Sequence, residues 1–176
     1  GDEFEMAAVP LALRNLADRI ATCGKYELGP LRDITINGRG KSFFQLDPHL
    51  DPAADGPDVF IISMGSSVVL TFTPPDDVLM NLGGERRALT GHELGMRSWT
   101  SKDIDVLVQP RTLLHFTGAA RSEWKHAIRA GLQVEAPGEP AVVCDWWGAN
   151  DYLLRRSERR WSVVMAFGAS ERNIDK

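Results

Sequence analysis

The alternation of apolar and polar positions divides the chain into an N-terminal helix followed by a series of short strands. From Pro10 to Cys23 the apolar residues Leu13, Leu16 and Ile20 recur at helical spacing, and Gly24 can end the helix. Beyond this point the pattern changes to short apolar, β-branched runs bounded by glycine and proline, which is typical of strands. These predicted strands are Ile34–Ile36, Val59–Met64, Ser67–Thr73, Asp105–Val108, Thr112–Phe116, His126–Arg129 and Trp161–Phe167.

The connections between these runs indicate the fold class. Only Gly65 and Ser66 separate two of the predicted strands, and so short a connection predicts a β-hairpin. One helix followed by about eight short strands predicts a mainly β (α+β) fold, namely a double-stranded β-helix (a jelly-roll or cupin-like barrel) with an N-terminal helix. The interior of such a barrel can hold a metal ion and a small acid near one mouth.

Composition indicates one ordinary globular domain. The chain has 176 residues, of which 43% are hydrophobic and 25% charged, and its net charge is −4. This charge does not attract nucleic acid to the molecule as a whole, so binding a polyanion would need a local basic patch. Residues 7–176 contain no repeat or linker and are interpreted as a single domain. Residues 1–6 read as an expression remnant and the start of the chain.

Cysteine usage and hydropathy bear on the cellular environment. Cys23 and Cys144 are the two cysteines, too few for a disulfide scaffold. No apolar run approaches the length of a membrane span, and no signal peptide is visible. We therefore expect an intracellular monomer that makes no membrane contact, while the compartment and a removed targeting segment stay open.

Three residues have the order and spacing of a metal site. His49 and Asp51 are two positions apart, which at an extended strand end places both side chains on the same side, and His126 follows far downstream. Two neutral imidazoles and one carboxylate can occupy one face of Fe(II) and leave the other face open for substrate and O2. A polar cluster without metal is the alternative interpretation.

A basic residue after these three completes the pattern. Arg160 stands at the start of the last predicted strand, and a guanidinium can hold a carboxylate by two parallel hydrogen bonds. We therefore predict that Arg160 binds an acidic cosubstrate, with Ser162 on the same side of the strand. The alternative is a surface arginine within the arginine-rich run 155–160.

The segment from Thr112 to Ile128 resembles the AlkB-like branch of the iron(II)/2-oxoglutarate dioxygenases. That branch carries a strand, then Gly-x-x-Arg, then Trp-Lys-His-x-Ile around its distal iron histidine, as at Gly118–Arg121 and Trp124–Ile128 here. Further segments match in the same order over residues 31 to 167. They are Asn37 in the loop before the iron pair, His49-Leu50-Asp51, the strand-turn-strand Phe60–Phe72, and Arg159-Arg160-Trp161-Ser162.

The resemblance implies a cofactor, two cosubstrates and a set of site residues. Iron(II) would be held by His49, Asp51 and His126, which are then the catalytic residues. 2-Oxoglutarate would be held by Arg160, Ser162 and Asn37, and O2 would be the second cosubstrate. The family converts 2-oxoglutarate to succinate while hydroxylating a substrate C–H bond, and a hydroxylated N-methyl group is released as formaldehyde.

Three departures from the family pattern concern the cosubstrate and the substrate. Arg39 stands where the family loop has tyrosine, and Ala166 stands where a second arginine is common. Whether Arg39 or another residue replaces that second arginine stays open. Ala53 stands where nucleic-acid repair members often have an acidic residue.

The first substrate hypothesis is oxidative demethylation of an N-methylated base in DNA or RNA, presented as a single strand or flipped out of a duplex. Trp146 and Trp147 could stack on such a base, although a hydrophobic lid is the alternative. Arg155 and Arg156, with Arg86-Arg87, could contact phosphates, although a solvated surface is the alternative. Two other functions stay open: an AlkB-like hydroxylase or demethylase of a protein or small molecule, and a non-catalytic jelly-roll binding module.

Two further residues are assigned structural roles. Arg121 is expected to brace the chain near the distal histidine rather than to face substrate. His115 lies in an apolar strand and is predicted to be a core histidine rather than a metal ligand.

Overall fold

The computed structural model describes residues 8–40, 44–75, 102–129, 131–147, 149–157 and 159–170, with the backbone alone at 146, 147 and 149–152. Two α-helices and eleven strands lie within these residues, with a short 3-10 helix at Ala53–Asp55. They are α1 (Leu11–Thr22), β1 (Leu28–Arg39), β2 (Leu46–His49), β3 (Asp58–Met64), β4 (Val68–Thr73), β5 (Ile104–Val108), β6 (Leu113–Phe116), α2 (Ala119–Ser122), β7 (Lys125–Ile128), β8 (Leu132–Val134), β9 (Val142–Trp147), β10 (Ala149–Arg155) and β11 (Arg160–Ala169).

The strands form antiparallel sheets, so the prediction of a mainly β fold with an N-terminal helix is confirmed. The first sheet has the strand order β1-β11-β3-β6, and the second has the order β2-β7-β4-β5. A smaller third sheet has the order β10-β9-β8. From β1 to β4 the chain alternates between the first and second sheets, and β5, β6 and β7 alternate again.

The predicted hairpin at Gly65-Ser66 is wrong. β3 pairs with β11 and β6 in the first sheet, whereas β4 pairs with β5 and β7 in the second. Gly65 has a φ of +87°, which suits glycine, and the short turn carries the chain from one sheet to the other. The two-residue connection between β3 and β4 is therefore a crossing between the first and second sheets, not a turn between paired strands.

Alternate residues of β3 enter two different cores. Val59 and Ile61 pack between the two large sheets, together with Leu70 and Phe72 of β4. Phe60 points to the opposite side, where a second core lies beneath α1. Because both faces of the first sheet are covered in this region, β3 reads as a continuous apolar run rather than an alternating one.

Helix α1 lies where the spacing predicts it and covers the outer face of the first sheet. Ala17 and Ile20 are buried against Phe60, Met165 and Phe167. Within the described residues, no helix is both long and apolar enough to cross a membrane.

Several strands were not predicted. β8 has only three residues, too few for an alternation pattern to be recognised, and β9 and β10 complete the third sheet with it. β1 extends from Leu28 to Arg39, far beyond the predicted Ile34–Ile36, because its polar stretches are paired along β11. Tertiary pairing thus stabilises strands whose local sequence signal is weak.

Candidate metal centre and its cavity

Pairing of β2 with β7 brings two histidines together across the second sheet. His49 is the last residue of β2, and its Cα partner in the antiparallel register is His126 on β7. The two imidazole ring centroids lie 4.3 Å apart with an angle of 51° between the ring planes. The sheet therefore positions two side chains that are far apart in the sequence.

Asp51 completes a compact group of possible ligands. Its Oδ1 lies 3.6 Å from Nε2 of His49 and 3.5 Å from Nε2 of His126. One potential ligand atom from each of the three residues lies within 4.8 Å of the others. Two imidazoles and one carboxylate in this arrangement can coordinate a divalent metal ion on one face.

The ring of His49 is oriented by a hydrogen bond to the backbone. Nδ1 of His49 lies 2.8 Å from the carbonyl oxygen of Asp47, and because a carbonyl only accepts, the proton resides on Nδ1. In the neutral ring Nε2 then carries the lone pair, on the side of Asp51 and His126. The hydrogen bond with Asp51 raises the pKa of His49, although burial opposes this effect.

The other two residues of the cluster hold the charge states that a metal needs. Burial lowers the pKa of His126 to about 4, so this imidazole is neutral at neutral pH. Burial alone would raise the pKa of Asp51, but the protonated form of His49 and the positive charge of Arg121 outweigh it and lower the pKa. Asp51 is consequently a carboxylate.

Arg121 braces the backbone that carries Asp51, in agreement with its predicted structural role. Its Nη1 donates to the carbonyl oxygen of Asp51 at 3.1 Å, and its Nη2 donates to that of Pro52 at 2.7 Å. The side chain is buried and belongs to α2, which immediately precedes β7. One side chain thus links the segment before His126 to the loop after His49.

A cavity of about 180 Å³ connects this cluster to the first sheet. A single water molecule needs only about 10–15 Å³ of such space, so the cavity can hold a small molecule. His49, Asp51 and His126 line it from the second sheet and the loop that follows β2, and Asn37, Arg160 and Ser162 line it from the first. The six residues predicted to bind metal and cosubstrate are therefore brought to one cavity.

The register of β1 and β11 determines which side chains reach the cavity. Asn37 pairs with Ser162 and Arg39 pairs with Arg160, and all four line the cavity. Since alternate residues of a strand point to the same face, residues 37 and 39 share the inner face, as do 160 and 162. Arg39, which the sequence left open as a replacement for the second arginine, is thus brought to the same cavity as Arg160.

Arg160 is a buried cation that faces the cavity. Its side chain is 6% exposed, and within the described part of the chain its Nε has no hydrogen-bond acceptor. Burial lowers the pKa of Arg160 to about 10, with Asp145 opposing this effect and Arg39 and Arg156 adding to it. A buried guanidinium with an unsatisfied donor is costly unless an anion binds beside it.

The interpretation of Arg156 as a phosphate-contacting residue is wrong. Its side chain is 4% exposed and donates to the carbonyl oxygens of Phe44 and Arg129, at 2.7 and 2.6 Å, and to Oδ1 of Asp145 at 2.5 Å. The guanidinium also lies 4.7 Å from the ring centroid of Phe44, which lines the cavity. Arg156 therefore joins the third sheet to the wall of the cavity, a role that nothing in the arginine-rich run indicated.

The remaining substrate candidates are not brought to the cavity by the described contacts. Arg155 is exposed at the end of β10 and does not line the cavity. Trp146 and Trp147 lie on β9, but their side chains are outside the described part of the chain, and Arg86-Arg87 lies outside it entirely. Their roles stay predictions.

His115 lies away from the metal cluster, as predicted for a core histidine. Its Nε2 lies 2.9 Å from Oδ1 of Asp58, and its ring stacks on Phe60 with centroids 4.2 Å apart. These contacts hold the ring against the first sheet, with Nε2 engaged by Asp58.

No protein-family model matches this sequence, and a search of the curated proteins finds no match. The resemblance to the AlkB-like dioxygenases therefore rests on the motif residues alone.

Proposed function

We propose that this protein is an AlkB-like iron(II)- and 2-oxoglutarate-dependent dioxygenase. The observation that carries the proposal is the meeting of two elements in one cavity: the His49, Asp51 and His126 cluster, and the buried Arg160. The cluster offers the donor set of a mononuclear iron site with open coordination positions, and Arg160 offers a binding group for a carboxylate. A polar cluster without metal would not account for the buried Arg160 in the same cavity.

We also propose that the fold is a double-stranded β-helix. The strand orders β1-β11-β3-β6 and β2-β7-β4-β5 support it, because the first four strands alternate between facing sheets. Greek-key jelly rolls have this kind of connection. The cavity between the sheets corresponds to the barrel interior that such a fold provides.

The residues of the cluster fit iron(II). His126 is neutral, Asp51 is ionised and the Nε2 of His49 is oriented toward both by the carbonyl of Asp47. Two nitrogen donors and one carboxylate oxygen are the donor set of non-haem iron(II) oxygenases. Zinc and other divalent ions accept similar donors, so metal identity is part of the test.

Five residues of the cavity have tasks in the proposed reaction. Bound together, iron(II) and 2-oxoglutarate supply the oxidation of a substrate C–H bond by O2, with succinate and carbon dioxide as coproducts. Arg160 holds the distal carboxylate of 2-oxoglutarate and so orients the molecule, while Ser162 and Asn37 offer further hydrogen bonds. Ile61 and Leu70 supply apolar walls that limit the entry of water.

For the substrate we propose an N-methylated nucleic-acid base that is unpaired or flipped into the cavity. A base within a duplex stack cannot reach an interior site without extrusion. With Arg156 engaged inside the protein, the exposed arginines of its run that could contact phosphates are Arg155 and Arg159. The charge of −4 requires such a local cluster if a polyanion is to bind.

The catalytic proposal is tested by reconstitution with Fe(II), ascorbate, 2-oxoglutarate and O2. We expect succinate to form slowly even without substrate, and we expect its formation to be abolished in His49→Ala, Asp51→Ala and His126→Ala. Asp18→Asn, an exposed aspartate on α1, serves as the control. Retained turnover in any ligand variant would remove that residue from the site, and no succinate despite bound iron would favour the binding module.

The substrate is tested by measuring formaldehyde release from methylated nucleosides, oligonucleotides and peptides. Binding of single-stranded DNA or RNA should weaken sharply with added salt, and also in Trp146→Ala and Trp147→Ala. Undetectable or salt-insensitive binding at low ionic strength would favour a protein or small molecule as the substrate.

A further inference from the structure

Two arginines lie directly opposite each other on the inner face of the first sheet. Arg39 on β1 is the Cα partner of Arg160 on β11, and both side chains line the cavity that contains the metal cluster. Side chains at directly opposite positions of an antiparallel pair are near neighbours, and like charges placed there repel each other. The charge of Arg39 is one of the causes, after burial, of the lowered pKa of Arg160.

The described residues leave this pair of charges largely uncompensated. Within the described chain, Arg39 makes no ion pair or hydrogen bond through its side chain, and Nε of Arg160 has no acceptor. Asp145 attracts the Arg160 cation, but its Oδ1 is already hydrogen-bonded to Arg156 at 2.5 Å. Two arginines at directly opposite strand positions that line one cavity therefore fit an anion that both can contact.

We propose that Arg39 is a second carboxylate-binding residue, which with Arg160 holds the distal carboxylate of a dicarboxylic 2-oxo acid. This inference rests on the proposed function, because the metal cluster in the same cavity would take the other end of such a molecule. Arg160 is buried whereas Arg39 is exposed, so the carboxylate lies between a cation in the wall and a cation that solvent can reach. Each guanidinium offers several donors, and one carboxylate has acceptor sites enough for both.

The arrangement makes Arg39 a determinant of specificity. A 2-oxo acid without a second carboxylate would leave both guanidinium groups uncompensated, whereas a dicarboxylic acid relieves their repulsion. Affinity for 2-oxoglutarate should therefore depend on Arg39, and affinity for 2-oxobutyrate, which lacks the distal carboxylate, should not.

The test is calorimetric titration of the Mn(II)-loaded protein with 2-oxoglutarate and, separately, with 2-oxobutyrate, in the absence of O2. The variants are Arg39→Gln, which removes the charge, and Arg39→Lys, which retains it. Arg32→Gln is the matched control, since Arg32 is exposed on the same strand and does not line the cavity. We expect 2-oxoglutarate to bind about 10-fold more weakly to Arg39→Gln, an intermediate loss in Arg39→Lys and no change in Arg32→Gln.

A second readout separates ligand binding from a structural role. Because like charges repel in the empty cavity, the metal-free Arg39→Gln protein should have a Tm equal to or above that of the unchanged protein. The rise in Tm on adding Mn(II) and 2-oxoglutarate should nevertheless be smaller in this variant. A residue that only supports the fold would lower the Tm of the metal-free protein.

The outcomes distinguish this inference from the proposed function. If the unchanged Mn(II)-loaded protein fails to bind 2-oxoglutarate, the proposed function is overturned and this inference with it. If the unchanged protein binds 2-oxoglutarate and Arg39→Gln binds it as tightly as Arg32→Gln does, this inference alone is overturned. An equal loss of affinity for 2-oxoglutarate and 2-oxobutyrate would also overturn it, since Arg39 would then not contact the distal carboxylate.

Discussion

At the scale of single residues, the three candidate metal ligands have the protonation states that metal binding requires, and a backbone hydrogen bond orients one of them. The carbonyl of Asp47 holds the proton of His49 on Nδ1, so Nε2 faces the other two side chains. Burial keeps His126 neutral, whereas the hydrogen bond with Asp51 raises the pKa of His49. The two imidazoles therefore differ in the ease with which a metal can replace a proton.

Metal affinity should fall as the pH is lowered from about 8 to about 5. His49 has the raised pKa, so it takes up a proton first as the pH falls, and the metal must then displace that proton. His126, with a pKa of about 4, stays neutral throughout this range. We expect a decrease of about 10-fold per pH unit below the pKa of His49, corresponding to one proton. Titration with Mn(II) at several pH values checks this expectation. A decrease corresponding to two protons would mean that His126 also titrates.

Arg160 should determine cosubstrate affinity without contributing to the stability of the empty protein. Arg160→Met should weaken 2-oxoglutarate binding about 10- to 100-fold, because a charge-assisted hydrogen bond is worth about 1.5–3 kcal/mol. The variant also removes a buried, poorly compensated cation, so its unfolding free energy should be unchanged or higher. Calorimetry and urea unfolding measure the two effects. Arg159→Met, at the exposed neighbour, is the control, and equal weakening in both variants would place the cosubstrate arginine elsewhere.

At the scale of elements, the short helix α2 links the strand that carries His126 to the loop that carries Asp51. It precedes β7, which carries His126, and its Arg121 donates to the backbone carbonyls of Asp51 and Pro52. The loop after β2 has no strand partner at this point, so these two hydrogen bonds position the carboxylate. Arg121 is thus a positioning residue rather than a ligand.

Arg121→Met should reduce metal affinity while leaving all three ligands in place. Loss of groups that orient metal ligands typically weakens binding about 10- to 100-fold. Ser122→Ala, a neighbouring and exposed position on α2, is the matched control. Mn(II) titration and far-ultraviolet circular dichroism together check the prediction. Unchanged affinity in a folded Arg121→Met protein would show that the loop is held by other contacts.

At the scale of the whole molecule, the buried side chain of Arg156 joins the third sheet to the second sheet by hydrogen bonds. Arg156 follows β10 and contacts Asp145 on β9, the end of β7 through the carbonyl of Arg129, and the segment before β2 through Phe44. Of these contacts, Phe44 lines the cavity. Arg156 thus helps to position the third sheet beside the candidate site.

Arg156→Met should destabilise the protein by about 3–5 kcal/mol, because it leaves the buried carboxylate of Asp145 without its cation. Arg155→Met, at an exposed neighbour, should change stability by less than about 0.5 kcal/mol. Urea unfolding measures both. The double variant Asp145→Leu with Arg156→Met should recover much of the loss, since the carboxylate that Arg156 neutralises is then removed as well. Equal effects at 155 and 156 would contradict the buried pair.

Local spacing was sufficient to predict α1 and most strands of the two large sheets, and it singled out candidate metal ligands. Helical and alternating periodicities are properties of neighbouring residues, so they can be read without knowledge of the fold. His49 and Asp51 were recognisable as a pair because two positions along an extended chain share a side. The flanking motifs of His126 and Arg160 added the remaining candidates.

Pairing between strands that are distant in the sequence determined which side chains meet in the cavity. The register of β2 with β7 placed His49 opposite His126, and that of β1 with β11 placed Arg39 opposite Arg160. Arg155 and Arg156 are adjacent and chemically identical, yet one is exposed and the other forms a buried ion pair. The hairpin predicted at Gly65 was wrong for the same reason, because local sequence does not reveal strand partners. A two-residue turn is compatible with pairing within a sheet or with crossing between sheets. Burial and pairing are set by partners far along the chain, and only the folded structure brings those partners together.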